Sequence, residues 1–231
     1  MTVNSSKSPD APRTSCIQCG SCCTKGGPAL HKQDMDIMRR GVIMPQHLFS
    51  LRVGEKVYEN VVGAVAPSRE EMVKIKGKPG SWTCLFFNEE EKNCGIYQDR
   101  PMECRALACW DTSAIEAVYA KDRLTRFDLV GPQDAVRKFM DAHEKRCSHR
   151  EMARLIGLLS SEQAEKAANQ ILDMVLYEND MRAMLVQKAG LKNEHLDFLF
   201  GRPLQEALKG YGLEVKNIRG KLALFPVGNN P

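Results

Sequence analysis

Eight of the nine cysteines in this chain of 231 residues fall into two clusters. The first cluster reads Cys16-x2-Cys19-x2-Cys22-Cys23, and the second reads Cys84-x9-Cys94-x9-Cys104-x4-Cys109. A chain of this length can bury a hydrophobic core, so it does not need disulfides in order to fold. In a reducing compartment, clustered cysteines bind metal more often than they pair. The spacing therefore predicts a metal or iron–sulfur site, with all eight cysteines as candidate ligands and enough thiols for two centres.

Several features of the chain predict its cellular compartment and the partners that it is not expected to bind. Residues 1–15 are polar and contain Pro9 and Pro12, which predicts a disordered tail and no secretory signal. No apolar run approaches the roughly 20 residues that are needed to span a bilayer. The net charge of +4 comes without a dense run of Lys and Arg, so nucleic-acid binding is not expected. We expect a cytoplasmic protein, whose oligomeric state the sequence leaves open.

The pattern of the chain changes near residue 110, which predicts an α+β fold in two regions. Residues 16–110 are interpreted as a loop-rich metal-binding region with short hairpins, including strands at 71–75 and 82–87. Residues 111–231 are interpreted as a mainly helical region that packs on it. Helices are predicted over 132–145, 160–189, 194–200 and 203–209, and a closing β-hairpin over 213–218 and 221–225. The longest helix is predicted to start with a capping box of Ser160 and Gln163 and to end at Gly190.

The first cysteine cluster contains the spacing that opens the bacterial ferredoxin run, in which a tight loop lets thiolates converge on one cube. Gly20 supplies the backbone freedom that such a loop needs. Zinc ribbons also use Cys-x2-Cys, so zinc stays open beside iron–sulfur. The adjacent Cys22 and Cys23 would point to opposite sides of an extended chain, so we expect that one of them serves a second site or is not a ligand.

The second cluster is organised by a hairpin and a short helix. Cys84 and Cys94 flank the polar loop 88–93, which predicts a hairpin that brings them together. Asp99 and Pro101 predict a helix start, with Cys104 on that helix. If Cys104 and Cys109 serve one centre, the helix must end before residue 109.

These motifs resemble the YkgJ-type cysteine-cluster family, which is described as a zinc- or iron-chelating domain. The resemblance rests on the double cysteine, on Cys84, and on Cys94-x-Ile96-Tyr97-x2-Arg100-Pro101-x2-Cys104-Arg105. It covers about residues 16–110 and implies metal or cluster binding without specifying a reaction. A similar cluster accompanies flagellin lysine methylases, so the resemblance makes a redox enzyme conceivable.

Other candidate residues allow more than one interpretation. Arg100 and Arg105 either offset the negative charge of a thiolate centre or form surface ion pairs. The motif His143-x3-Cys147-x-His149 has the right residue types for metal, but we expect it to be a surface helix end. His31, His47 and His195 are each isolated in the sequence, and we expect them to be structural or exposed.

The leading hypothesis is an iron–sulfur protein with one or two 4Fe-4S clusters, acting in electron transfer or redox sensing with a protein partner. The first alternative is a structural zinc protein that binds another protein, and mononuclear iron is a further choice of metal. The second alternative is a domain of a redox enzyme, with Glu103 or His149 as acid–base residues beside the metal. No Ser-His-Asp motif, Walker motif or Rossmann fingerprint is present, so a binding protein is favoured over an enzyme.

Overall fold

The computed structural model describes residues 15–59 and 63–228, so residues 1–14 of the predicted tail lie outside it. The predicted α+β class is confirmed. The helices are α1 (Met35–Arg39), α2 (Met102–Ala106), α3 (Ser113–Val118), α4 (Arg126–Leu129), α5 (Arg137–Arg146), α6 (His149–Gly157), α7 (Ala164–Ala189), α8 (Leu196–Phe200) and α9 (Leu204–Lys209). The strands are β1 (Leu48–Leu51), β2 (Lys56–Glu59), β3 (Ala64–Pro67), β4 (Met72–Ile75), β5 (Phe87–Asn88), β6 (Asn93–Cys94), β7 (Leu213–Ile218) and β8 (Lys221–Pro226).

The described strands form four separate antiparallel pairs: β1 with β4, β2 with β3, β5 with β6, and β7 with β8. The strand predicted at 71–75 is confirmed as β4. The strand predicted over 82–87 is wrong, because only Phe87 belongs to a strand. The backbone before it is used in local and long-range bonds instead: Lys78 N donates to Thr83 O, and Cys84 N donates to Cys23 O.

The helical prediction for the second half of the chain is confirmed, with corrected starting points. The long helix α7 begins at Ala164, and the predicted capping box is wrong, because residues 158–160 form a 3₁₀ turn that extends α6. The helix ends where predicted, at Gly190, whose φ of 68° lies in the left-handed region. The helix predicted from residue 132 starts later, since the chain turns before Arg137.

The chain closes with the predicted hairpin. Strands β7 and β8 pair from Leu213 with Pro226 to Ile218 with Lys221. The two turn residues, Arg219 and Gly220, have φ values of 52° and 85°. A two-residue turn with both residues at positive φ matches the twist of the flanking strands.

The largest hydrophobic core contains residues from both sides of residue 110. Leu30, Leu48 and Ile75 from the first region share it with Met140 and Phe200 from α5 and α8. A second core joins α6, α7, α9 and the C-terminal hairpin. The elements that surround the cysteines are therefore held on one side by the helical region.

A buried polar network also connects the two regions. His143 Nδ1 accepts a hydrogen bond from Arg52 Nη1 at 2.6 Å, and His143 Nε2 lies 3.0 Å from Glu178 Oε1. Arg52 also donates to the carbonyl of Cys147. Because Arg52 can only donate, His143 must be neutral at Nδ1 and donate from Nε2. Burial lowers the pKa of His143 to about 4, in agreement with a neutral ring.

The interpretation of residues 143–149 as a surface helix end is wrong. His143, Cys147 and His149 are all buried, with exposed fractions of 0%, 0% and 1%. Burial raises the pKa of the Cys147 thiol to about 12, so this thiol is a poor ligand unless deprotonated by a metal. The residues lie in the core because α5 ends there against α7, with Cys147 Sγ 3.9 Å from the carbonyl of Met174.

Candidate metal centre

Five cysteines from three segments of the chain lie close enough to influence one another electrostatically. Cys23 is affected by Cys22, Cys84 and Cys104. Cys104 is affected in turn by Cys84, Cys22 and Cys94. We call these residues the five-thiol group: Cys22, Cys23, Cys84, Cys94 and Cys104. The group unites the end of the first cluster with most of the second.

The predicted hairpin and short helix position Cys84, Cys94 and Cys104 of the second cluster. Strands β5 and β6 pair Phe87 with Cys94, and Cys84 stands just before β5. Helix α2 carries Cys104 and ends at Ala106, as required for a break before Cys109. These parts of the sequence-based prediction are confirmed.

The adjacent cysteines differ from the expectation for an extended chain. Cys22 has φ −76° and ψ −35°, which is helical, and a 3₁₀ turn starts at Cys23. In a helical turn, neighbouring side chains are not opposed. The two sulfur atoms lie 4.0 Å apart, within reach of an S–H···S contact. The premise that the two side chains point to opposite sides is therefore wrong.

The thiols of the group differ in acidity. The hydrogen bond with Cys23, with a smaller contribution from Arg100, lowers the pKa of Cys22 to about 6. The same bond and burial raise the pKa of Cys23. Burial and neighbouring thiols raise the pKa of Cys84 and Cys104. At neutral pH Cys22 is therefore mostly a thiolate, and the buried thiols would release protons on binding a metal.

The three remaining candidate ligands are exposed. They are Cys16, Cys19 and Cys109. Cys16 Sγ accepts a hydrogen bond from Gln18 N at 3.3 Å. Across residues 15–59 and 63–228, no three His, Cys, Asp or Glu side chains already stand in a metal-binding arrangement. Thiolates nevertheless suit both zinc and iron, so the donor set of the group fits the metals that its sequence implies.

Close backbone packing places the first cluster against the second. Gly20 has a φ of 78°, and a Cβ at this position would lie 2.1 Å from the Cζ atom of Phe87. The amide of Cys84 donates to the carbonyl of Cys23 at 2.7 Å. The glycine that was predicted for loop freedom therefore also allows the loop to touch the hairpin.

Two buried carboxylates hold helix α2, and sequence reasoning did not find the role of either. Asp34 Oδ1 accepts from the amide of Met102 at 2.8 Å, at the start of the helix. Glu103 Oε2 accepts from the amide of Ala29 at 2.7 Å, and its Oε1 lies 3.2 Å from His31 Nε2. Nothing in the local pattern pairs Glu103 with His31, because the partners are far apart in the chain.

The arginines of the second cluster have different surroundings. The guanidinium of Arg100 stacks on Tyr97 at 3.6 Å and helps to lower the pKa of Cys22. Arg105 Nη1 instead donates to the carbonyl of Arg100 at 2.7 Å. Arg100 is therefore the better candidate for offsetting thiolate charge.

Residues 15–126, just under half of the chain, match the family model "CxxCxxCC: Putative zinc- or iron-chelating domain". The match includes all eight clustered cysteines. The suspected resemblance is thereby confirmed over these residues, and the match to a chelating domain supports metal binding. Neither the curated proteins nor the solved structures contain a match to this chain.

The chelating domain extends further than the cysteine motif. The family match runs past residue 110 to residue 126. Over that stretch Leu124 N donates to Leu30 O, and Val73 N donates to Leu124 O. The added segment is thus part of the packing around the cysteines. Among the described helices, none combines the length and the apolar character that crossing a bilayer would require.

Proposed function

We propose that the protein binds one zinc or iron ion at the five-thiol group, and that this centre stabilises the chelating domain. The observation that carries the proposal is the convergence of thiols from residues 22–23, 84–94 and 104. Four thiolates would close a tetrahedral shell, which leaves no position open for a substrate and favours a structural role. When bound, such an ion supplies folding free energy directly, on the order of 10 kcal/mol.

The proposed ligands are Cys22, Cys84, Cys94 and Cys104. Cys22 is favoured over Cys23 because its pKa is lowered and that of Cys23 is raised by their shared hydrogen bond. In this arrangement Cys23 stays protonated and donates to the Cys22 thiolate. Hydrogen bonds from such outer groups orient metal ligands and tune them.

The second candidate function is a 4Fe-4S protein in electron transfer or redox sensing with a protein partner. The spacing of Cys16, Cys19 and Cys22 favours this candidate, because the cysteine motif of bacterial ferredoxins opens with the same spacing. This candidate requires the exposed Cys16 and Cys19 to move towards Cys22, or requires the five-thiol group alone to hold the cluster. A cytoplasmic location remains part of this proposal.

The enzyme alternative has less support. Glu103 is occupied by His31 and the amide of Ala29. His149 is buried among Arg52, Arg202 and His143, and burial lowers its pKa to about 2. The surface has one groove beside Asp197 and another beside Met38, and neither Glu103 nor His149 lines either of them.

Elemental analysis of protein purified without oxygen tests the proposal. We expect about one zinc or iron per chain without acid-labile sulfide. Iron and sulfide in equal amounts, about four of each, would replace the proposal by the cluster candidate. The variant Cys104→Ser should lose most of the metal, whereas Cys147→Ser serves as the matched control with a buried thiol outside the group. Full metal retention by Cys104→Ser would reject the five-thiol group as the site.

A further inference from the structure

A second polar site surrounds the side chain of Arg123. The guanidinium of Arg123 stacks on the ring of Tyr119 at 4.3 Å. Its Nε and Nη2 atoms are both buried and have no hydrogen-bond partner among residues 15–59 and 63–228. These two atoms form one edge of the guanidinium, the edge that binds an oxyanion through two parallel hydrogen bonds. The stacking holds this edge in a fixed orientation.

A second cation stands beside this edge. Burial, and to a smaller extent Arg123, lowers the pKa of Lys74, whereas Glu103, Cys104 and Glu59 favour its charged form. Within the described residues, no carboxylate lies at ion-pair distance from its ammonium group. Lys74 and Arg123 project from neighbouring segments, because Lys74 bridges to Ala29 and Arg123 bridges to His31. Both residues are partly buried.

The nearby carboxylates have other hydrogen-bond partners. Glu103 is committed to His31 and to the amide of Ala29. Glu59 bonds to Tyr119, and this bond, after burial, raises the pKa of the tyrosine. Glu59 Oε1 is buried and has no hydrogen-bond partner within the part of the chain that the structure describes. The site therefore contains unused donors on Arg123 and one unused acceptor on Glu59.

We propose that Arg123 and Lys74 form a binding site for a small oxyanion that also carries a hydrogen-bond donor. The oxyanion binds to the Nε and Nη2 edge of Arg123 and to the Lys74 ammonium, and its donor group binds to Glu59 Oε1. Hydrogen phosphate and a hydroxycarboxylate both have this chemistry. Sulfate has the oxygens but no proton, so it leaves the Glu59 acceptor unsatisfied. The site does not depend on the proposed metal function.

Calorimetric titration of the full chain with inorganic phosphate, glycolate and sulfate tests the proposal. We expect saturable binding of phosphate or glycolate, and the stronger of the two identifies the source of the oxyanion. Sulfate should bind about tenfold more weakly or worse. In Glu59→Gln the amide can donate, so the preference over sulfate should decrease.

The variant Arg123→Lys keeps the charge and removes the two-donor edge, and should weaken binding by about tenfold or more. Arg137→Lys is the matched control, because Arg137 stacks on Phe127 at 4.0 Å but has its Nε bonded to Asp141 at 3.3 Å. Lys74→Gln removes the second positive charge and leaves Arg123 in place, and it should also weaken binding of the oxyanion. Metal content is measured on every sample, so a failed anion site is distinguished from a failed metal centre.

Two results would overturn the proposal. One is the absence of saturable binding of phosphate and glycolate to the wild-type chain. The other is equal binding by the wild type, Arg123→Lys and Lys74→Gln. Weakened binding in the two variants together with unchanged binding in Arg137→Lys would support it.

Discussion

Gly20 packs against the ring of Phe87 so closely that a Cβ at residue 20 would lie 2.1 Å from the Phe87 Cζ atom. This contact holds the loop of the first cysteine cluster on the hairpin of the second. Gly20→Ala should destabilise the domain by about 2–4 kcal/mol, because left-handed backbone strain adds to the collision. Gly80→Ala is the control, since Gly80 has a similar φ of 70° and open space around it. Thermal unfolding measures the stability of each variant, and elemental analysis measures the metal that it retains. Equal losses of stability in Gly20→Ala and Gly80→Ala would contradict the packing argument.

Cys22 and Cys23 should respond differently to serine substitution. Cys22→Ser removes the proposed ligand and should strip most of the metal. In Cys23→Ser the hydroxyl can still donate to Cys22, so the affinity should change by no more than about tenfold. Competition with a chromophoric chelator measures both affinities. A larger loss from Cys23→Ser than from Cys22→Ser would reverse the ligand assignment.

Metal affinity should rise with pH. The pKa values of Cys84 and Cys104 are raised by burial, so both thiols lose a proton when a metal binds. Each released proton increases the apparent binding constant about tenfold per pH unit. These two released protons alone predict at least about a hundredfold per unit between pH 6.5 and 7.5. Affinity that is independent of pH over this interval would show that these thiols are not ligands.

The buried His143 should make the protein sensitive to acid. Its pKa is lowered from 6.5 to about 4 in the folded protein, mainly by burial and despite the bond to Glu178. The unfolded chain therefore binds more protons between these pH values, and stability falls as the pH decreases through that window. The loss attributable to this residue is on the order of 3 kcal/mol.

Denaturant unfolding at pH 7 and pH 4.5 measures the effect of His143. In His143→Gln the fall in stability between the two pH values should be smaller than in the wild type. His195→Gln is the control, because His195 is partly exposed on the surface. His31 acts in the opposite direction, since its bond to Glu103 raises its pKa against the effect of burial. An identical pH dependence in wild type and His143→Gln would exclude the proposed role.

Arg126→Met should be strongly destabilising. Arg126 is fully buried and bonds to Glu71 at 2.7 Å and to Glu144 at 2.9 Å. Its removal leaves the nearly buried Glu71 carboxylate with only the backbone amide of residue 126 as a donor and without its ion-pair partner, which costs about 3–5 kcal/mol. The exposed pair of Arg154 and Glu151 provides the control, because Arg154→Met should cost no more than about 1 kcal/mol. Similar costs in the two variants, measured by denaturant unfolding, would refute this account.

Local signals in the sequence predicted the elements whose geometry depends on neighbouring residues. The hairpin turn at Arg219 and Gly220 and the helix end at Gly190 were found in this way, since positive φ favours particular residue types. The start of α7 was missed because residues 158–160 continue from α6 as a 3₁₀ turn. The burial of His143 was missed because its partners Arg52 and Glu178 are distant in sequence.

The sequence by itself determined the family resemblance, the thiol-rich donor set and the local elements that carry it, because these depend on residue type and short spacing. Only the tertiary structure brought Cys22 and Cys23 within electrostatic reach of Cys84, Cys94 and Cys104 while Cys16, Cys19 and Cys109 stay exposed. It likewise decided which charges are left unpaired beside Arg123. Such contacts depend on how distant segments pack into a shared core, and no local pattern of residues encodes that packing.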